Sequence, residues 1–315
     1  MIRTKITPPQ NLCIYNAAFH IETYDFFEKI NIAVFTRHEL VTIDLTSVKI
    51  ITAAASVLLF ATVSTCQLSM NNANQIRCIF PRSDKNETGH RYIVKTGLAR
   101  ALHSGSVDKL ELLTKDQIYF QTSTDPSLHL LSTFNLLTKE MAFTPVLLQL
   151  LVTGVSEAML NVIHHAYKDP FNAAFIHSTK KLIVAGIGER WWQCAWFDSR
   201  KKAWIFIICD IGLGIPQTYN YLRQDHLYSV NPSLALKHAF IRGNSRFIGS
   251  GRGNGSEDMM QPIKSGYNES LLVYSGGAKY HFKTGMDQPE IENLSRFFNG
   301  TLVEWTLYVS NEEEI

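Results

Sequence analysis

Apolar positions along the first third of the chain fall into short runs that switch between two periods. Leu40-Val41-Thr42-Ile43-Asp44-Leu45 is rich in β-branched residues and predicts a buried strand. Thr52 to Cys66 carries alanine and leucine instead and predicts a helix. Gln75 to Phe80 predicts a second strand, closed by Pro81. His90 to His103 places Ile93, Leu98 and Leu102 on one side, the pattern of an amphipathic helix. Between His103 and Leu128 the periodicity weakens, and Gly105, Asp108, Thr122 to Asp125 and Pro126 punctuate it. A domain boundary is expected there, giving an α/β domain over 1–110, a linker over 111–129 and a second domain over 130–315.

The second domain opens on a long helical pattern. Pro145 suits a first helical turn, and Val146 to Tyr167 continues without another proline. Strands are expected at Lys181 to Ile187, Trp191 to Phe197 and Ala203 to Cys209, with a turn near Asp198 to Lys202 joining the last two as a hairpin. A helix is expected after Pro216, then a glycine-rich loop from Gly243 to Gly255, then a helix through Met259 and Ile263. Final strands are expected at Ser270 to Tyr274, Lys279 to Lys283 and Leu302 to Val309. Helices followed by mostly antiparallel strands predict an α+β sandwich.

Composition narrows the function classes. Of 315 residues, 45% are hydrophobic and 18% charged, which suits a packed globular chain. Thirty basic against 28 acidic residues leave a net charge of +2, so nucleic acid is not expected as a direct ligand. The basic clusters Lys180-Lys181 and Arg200-Lys201-Lys202 fit solvated turns. The five cysteines form no C-x-x-C pair and no even set, which favours a reducing compartment. The stretch Met1 to Gln10 is polar, with no signal-peptide core. Ile50 to Cys66 is uncharged but short of the ~20 apolar residues a bilayer needs. A cytoplasmic protein without a membrane partner is expected.

Three blocks carry candidate chemistry. Glu157 and Asn161 stand one helical turn apart and share a face; His164 falls on nearly the same line and His165 further round the axis. A carboxylate can take a proton from water, and an amide oxygen suits a magnesium ion. On their own, the pair equally fits a solvated helix face. The second block, Asp210-Ile211-Gly212-Leu213-Gly214-Ile215-Pro216, follows a strand of isoleucines. A carboxylate there needs a hydrogen-bond partner, which an adenine amino group could supply; a tight Asp-Gly turn is the alternative. The third, Gly249-Ser250-Gly251-Arg252-Gly253-Asn254-Gly255-Ser256, precedes a helix and could present backbone N–H groups to phosphates, or be a surface loop. It is neither a Walker loop nor a dinucleotide fingerprint.

In this order and at these spacings the blocks resemble the GHKL (Bergerat-fold) ATPases. Glu157-Ala158-Met159-Leu160-Asn161-Val162-Ile163-His164-His165-Ala166-Tyr167 is most similar to the helix of bacterial anti-sigma-factor serine kinases, E-A-x-x-N-A-I-x-H-G-Y, with His165 as the matching histidine. The resemblance covers about Leu130 to Val309. It implies Glu157 as general base, Asn161 as magnesium ligand and Asp210 as the adenine-reading aspartate. It also implies nucleotide contacts from His165, Gly212, Gly214, Ile215, Gly251, Arg252, Gly253, Asn254 and Gly255, and from Thr301 of the late Gly300-Thr301 pair. Ser256 departs from the family's leucine. Asp44-Leu45-Thr46-Ser47-Val48-Lys49-Ile50-Ile51-Thr52-Ala53-Ala54-Ala55 resembles the D-L-S-x-V-x-F-I-D-S-S-G segment of STAS domains, with alanines where the two serines stand.

The expectation is therefore a STAS-like α/β domain fused to a Bergerat-type ATP-binding domain, with ATP and magnesium as ligands. ATP would order the loop over Gly243 to Gly255, slow hydrolysis would reset it, and another protein would be controlled by it. A protein serine/threonine kinase and a nucleotide-gated binding module without turnover remain alternatives, and a homodimer is left open.

Overall fold

The computed structural model describes residues 2–140, 143–168, 187–198, 201–223, 231–241, 255–266 and 268–308. Over these residues the chain is a mixed α/β protein with several sheets. It divides into two compact units, one built mainly from Met1–Thr122 together with Trp192–Cys194, the other holding most of the chain from Ser123 onward.

In the first unit, β1 (Arg3–Ile6), β2 (Asn11–Leu12), α1 (Ala17–Asn31), β3 (Leu40–Asp44), β4 (Ile50–Ile51), α2 (Ala53–Ser69) and β5 (Ile76–Ile79) follow in order. The strands β1-β3-β5 form a parallel sheet, with Val41 and Ile43 of the middle strand fully buried. The polar N-terminal stretch thus supplies a strand, because parallel pairing to β3 uses its backbone and buries only Ile6. Helix α1 buries Thr23, Phe26, Phe27 and Ile30, one stripe at helical spacing. Helix α2 is apolar all round and buried over nearly its whole length, as such a helix must be. Inside it, the Ser64 hydroxyl accepts the Trp192 indole N–H at 2.8 Å.

The helix expected from His90 to His103 is interrupted. It consists of α3 (Glu87–His90), a π-helical turn over Arg91–Lys95 and α4 (Leu98–Leu102). Gly97 breaks it at φ +87°, a left-handed conformation that L side chains rarely adopt. The stretch 111–129 expected as linker holds the end of α5 (Val107–Lys115), β6 (Phe120–Ser123) and the start of α6 (Pro126–Glu140). Only Leu110 and Leu113 of α5 are buried, too few turns to impress a period on the sequence.

In the second unit, α7 (Pro145–Asn161) is capped by the Thr144 hydroxyl, which accepts from the Leu147 N–H. Its buried residues Leu151, Gly154, Val155, Ala158 and Met159 recur every three or four positions. The continuous helical run Pro145–Ala166 is, among the described residues, long and apolar enough to cross a membrane. Then come β7 (Trp191–Asp198), β8 (Ala203–Cys209), α8 (Ile215–Arg223), α9 (Pro232–Ala239), α10 (Gly255–Lys264), β9 (Ser270–Lys283) and β10 (Glu290–Tyr308). The expected strand over Lys181 to Ile187 lies outside the described residues but for Ile187. Within this unit β10 lies between β8 and β9 and is antiparallel to both. The three short final strands of the sequence reading are two long ones. Polar residues from Gly276 to Lys283 and from Glu290 to Gly300 conceal the pairing that continues through them.

Candidate functional site

The register of β10 brings the second block together. Leu302 pairs with Cys209 on one side, while Thr301 pairs with Ser275 on the other. One residue beyond β8, the Asp210 N–H donates to the Thr301 carbonyl at 2.9 Å, extending the ladder into the loop. Between Phe298 and Thr301 the β10–β9 register shifts, and Gly300 sits in that bulge at φ +86°. A Cβ on Gly300 would collide with the Asp210 carbonyl oxygen, so only glycine lets the two backbones meet.

Asp210 is 5% exposed. One carboxylate oxygen accepts from the Gly212 N–H at 2.8 Å. Burial pushes the carboxyl pKa up to about 7, against the backbone N–H groups of Gly212 and Thr301, which favour the ionised form. No cation stands among these causes. Among the described residues the charge is held by backbone dipoles alone, and a ligand offering an N–H would favour its ionised form.

The loop after Asp210 is clamped on two sides. Leu213 N–H donates to the Ala166 carbonyl at 2.8 Å, and a Cβ on Gly212 would collide with that same carbonyl. The fully buried Tyr167 donates its hydroxyl to the Arg190 carbonyl at 2.7 Å and accepts the Ile211 N–H at 3.3 Å. Burial, with the Asp210 charge nearby, raises the Tyr167 pKa well above its ordinary value, so it stays a neutral donor. On the far side the Ser275 hydroxyl accepts the Ile215 N–H at 2.7 Å, the first amide of α8. Gly214, at φ +83°, would bring a Cβ within 2.9 Å of the Gly300 carbonyl.

Glu157 lies elsewhere on α7, facing α10. A Cβ on Gly255 would stand 2.7 Å from a Glu157 carboxylate oxygen, so this glycine admits the carboxylate to the start of α10. Gly154 permits the same close crossing one turn earlier, and the Trp305 indole N–H locks α10 by donating to the Met259 carbonyl at 2.9 Å. Asn161 ends the α-helical part of α7. From Val162 to Ala166 the helix is a π turn, so the α-helical ruler that placed His164 and His165 relative to Glu157 stops at Asn161. Both histidines are half-buried on that turn, their rings edge to face at 6.1 Å.

The structure thus joins Asp210, Gly212, Gly214, Ile215 and Thr301 in one constellation, and Glu157 with Gly255 in another. Gly251, Arg252, Gly253 and Asn254 lie outside the described residues. Sequence reasoning missed Ser275 and gave Tyr167 no role. The Ser275-Gly276-Gly277 step, two glycines inside a strand, was the available signal of close backbone approach. Among the described residues no three His, Cys, Asp or Glu side chains are grouped to hold a metal ion.

In the first unit, Thr52 caps α2, its hydroxyl accepting the Ala55 N–H at 3.4 Å. Ser56 is fully buried, and among the described residues its hydroxyl has no hydrogen-bond partner. A cleft of about 650 Å³ is lined by Phe80, Arg82, His90, Arg100 and His103, with both guanidiniums tied to carboxylates, Arg82 to Asp84 and Arg100 to Asp116. No residue singled out for nucleotide chemistry lies there. No protein-family model and no curated protein matches the chain.

Proposed function

We propose that the chain is an ATP- and magnesium-binding regulatory switch of the Bergerat type, with slow hydrolysis and a protein partner, its first unit STAS-like. One observation carries the reading: a nearly fully buried carboxyl, Asp210, held among the described residues by backbone N–H groups only, at the head of a loop pared to glycine where other chain segments touch it. A buried charge without a cation is costly. An adenine amino group donating to Asp210 would offset that cost, with Thr301 beside it on the adjoining strand. Asn161 would be the protein's oxygen ligand to magnesium, which keeps most of its shell from waters and phosphates and needs no carboxylate cluster. The metal would supply charge neutralisation on the phosphates. Glu157 would take the proton of the attacking water onto its carboxylate. A protein acceptor at the head of α2 is disfavoured, because Ala53 and Ala54 lack hydroxyls, Ser56 is sealed from solvent and the Thr52 hydroxyl caps the helix.

Calorimetric titration of the full chain with magnesium ATP tests the reading. Binding that is lost in Asp210→Ala is expected; equal affinity in parent and variant would refute the adenine role. Glu157→Ala should keep affinity and lower turnover about 10²-fold or more, the scale of general-base loss. γ-Labelled ATP separates the alternatives: free phosphate supports hydrolysis, labelled protein a kinase, and neither a binding module.

A further inference from the structure

Ser275 is fully buried where three chain segments meet. Its Oγ accepts the Ile215 N–H at 2.7 Å, lies 3.2 Å from the Gly300 carbonyl oxygen and 2.9 Å from the Thr301 Oγ1. A serine hydroxyl has one proton and cannot give it to both Gly300 and Thr301. A carbonyl oxygen can only accept, so the Gly300 contact is a hydrogen bond only if Ser275 gives its proton there. One arrangement satisfies all three contacts: Ser275 donates to the Gly300 carbonyl and Thr301 donates to Ser275. The reverse would turn the Ser275 lone pairs toward the Gly300 carbonyl, two acceptors facing each other in a buried place.

We infer that Ser275 fixes the hydrogen-bond polarity of Thr301, so that the Thr301 hydroxyl faces a ligand only as an acceptor and the base site selects a purine with an amino group over one with a carbonyl at that edge. The inference rests on the nucleotide reading above. Thr301 is half-buried, and its carbonyl accepts the Asp210 N–H, so the two residues stand side by side on adjoining chain segments. With the Thr301 proton committed inward, an ionised Asp210 and Thr301 present two acceptors side by side. An adenine amino group satisfies them; the 6-carbonyl of hypoxanthine meets only lone pairs. Without Ser275, the Thr301 hydroxyl is free to turn and donate, and the carbonyl base gains a partner. Ser275 is in this sense a positioning residue, acting through Thr301.

The test is the affinity of the full chain for magnesium ATP and magnesium ITP at about pH 8.5, where Asp210 is ionised. The parent is expected to prefer ATP by about 10²-fold or more, as a site built around one hydrogen-bond pattern does. Ser275→Ala should shrink the ATP-to-ITP ratio by about tenfold, in part through tighter ITP binding, and Ser275→Thr, which keeps the hydroxyl, should restore it. Thr301→Val, which leaves the Ser275–Ile215 bond in place, should shrink the ratio likewise, and the two changes together should not add. Equal loss of ATP and ITP affinity in Ser275→Ala, or an unchanged ratio in Thr301→Val, overturns the inference while the nucleotide reading stands. A parent that binds neither nucleotide overturns both.

Discussion

Two aspartates close two strands of this protein, and they are held in opposite ways. Asp44 ends β3 in the first unit. The Lys5 ammonium meets one of its oxygens at 2.7 Å, and the other accepts from the Thr46 hydroxyl at 2.6 Å and the Thr46 N–H at 3.1 Å. The bonds from Lys5 and then Thr46 hold its carboxyl below the usual range. Asp210, just beyond β8 in the second unit, has backbone N–H groups for company, and burial raises its pKa to about 7. The first carboxylate is fully engaged in local structure. The second is kept poorly satisfied, at a cost that a ligand with an N–H donor could relieve.

The sharpest way to break the comparison is to strike the backbone that holds Asp210. Gly300→Ala should destabilise the second unit by about 3 kcal/mol or more, because a left-handed residue would also collide with the Asp210 carbonyl. Gly285 is the control: φ is +84°, yet no described residue lies within 4 Å of an added Cβ, so Gly285→Ala should cost only about 1 kcal/mol. Equal losses in urea unfolding would show that conformation, not the close approach, limits the Gly300 position.

Asp210→Asn comes next. A folded pKa of about 7 exceeds the unfolded value of about 3.9, so the folded state holds the proton more tightly between them. The contribution of this group is full below about pH 4 and declines as pH rises toward 7, by up to about 4 kcal/mol at about 1.4 per unit. The asparagine variant should therefore gain on the parent between pH 4 and 8 while failing to bind ATP. Thermal melts in which the gap between variant and parent is the same at both pH values would remove the buried-charge argument.

Asp44→Asn should go the other way and be smaller. Its depressed pKa gives stability that is present above about pH 4 and lost as pH falls through the folded value. Lys5 is largely exposed and its ion pair is worth little, so the cost at neutral pH should be about 1 kcal/mol, from the Thr46 bonds. A denaturant midpoint unmoved at pH 7 would mean that Asp44 is as expendable as any surface carboxylate. Ser56→Ala is the smallest: it removes a buried hydroxyl without a partner among the described residues and should be neutral or stabilising by about 1 kcal/mol. A clear loss in the same assay would reveal a bond to Ser56 that the geometry does not contain.

The elements legible in the sequence were those with a single dominant pattern. Ala203–Cys209 is apolar at nearly every position, and Thr52 begins a run of alanine and leucine, so β8 and α2 stand where periodicity puts them. Gly212, Gly214 and Gly300 are visible as residues, and Gly300 stands out only through its pairing with Thr301. Its role depends on a register shift between strands far apart in sequence, which no local window contains. The π turn at Val162 was hidden because its residues are as apolar as an α-helix there would be. Ser275 was hidden because a lone serine in a strand carries no signal until Thr301 is laid opposite it.

The bulge that holds Gly300 also sets an order of events during folding. The β9–β10 hairpin is local and can close early, whereas pairing of Leu302 with Cys209 must first bring distant segments of the chain together. Asp210, Ser275 and Thr301 meet only once both pairings exist. The site is thus among the last parts of the second unit to assemble. Changes within it should leave the refolding rate nearly untouched and speed unfolding instead, whereas changes near the hairpin turn should slow refolding.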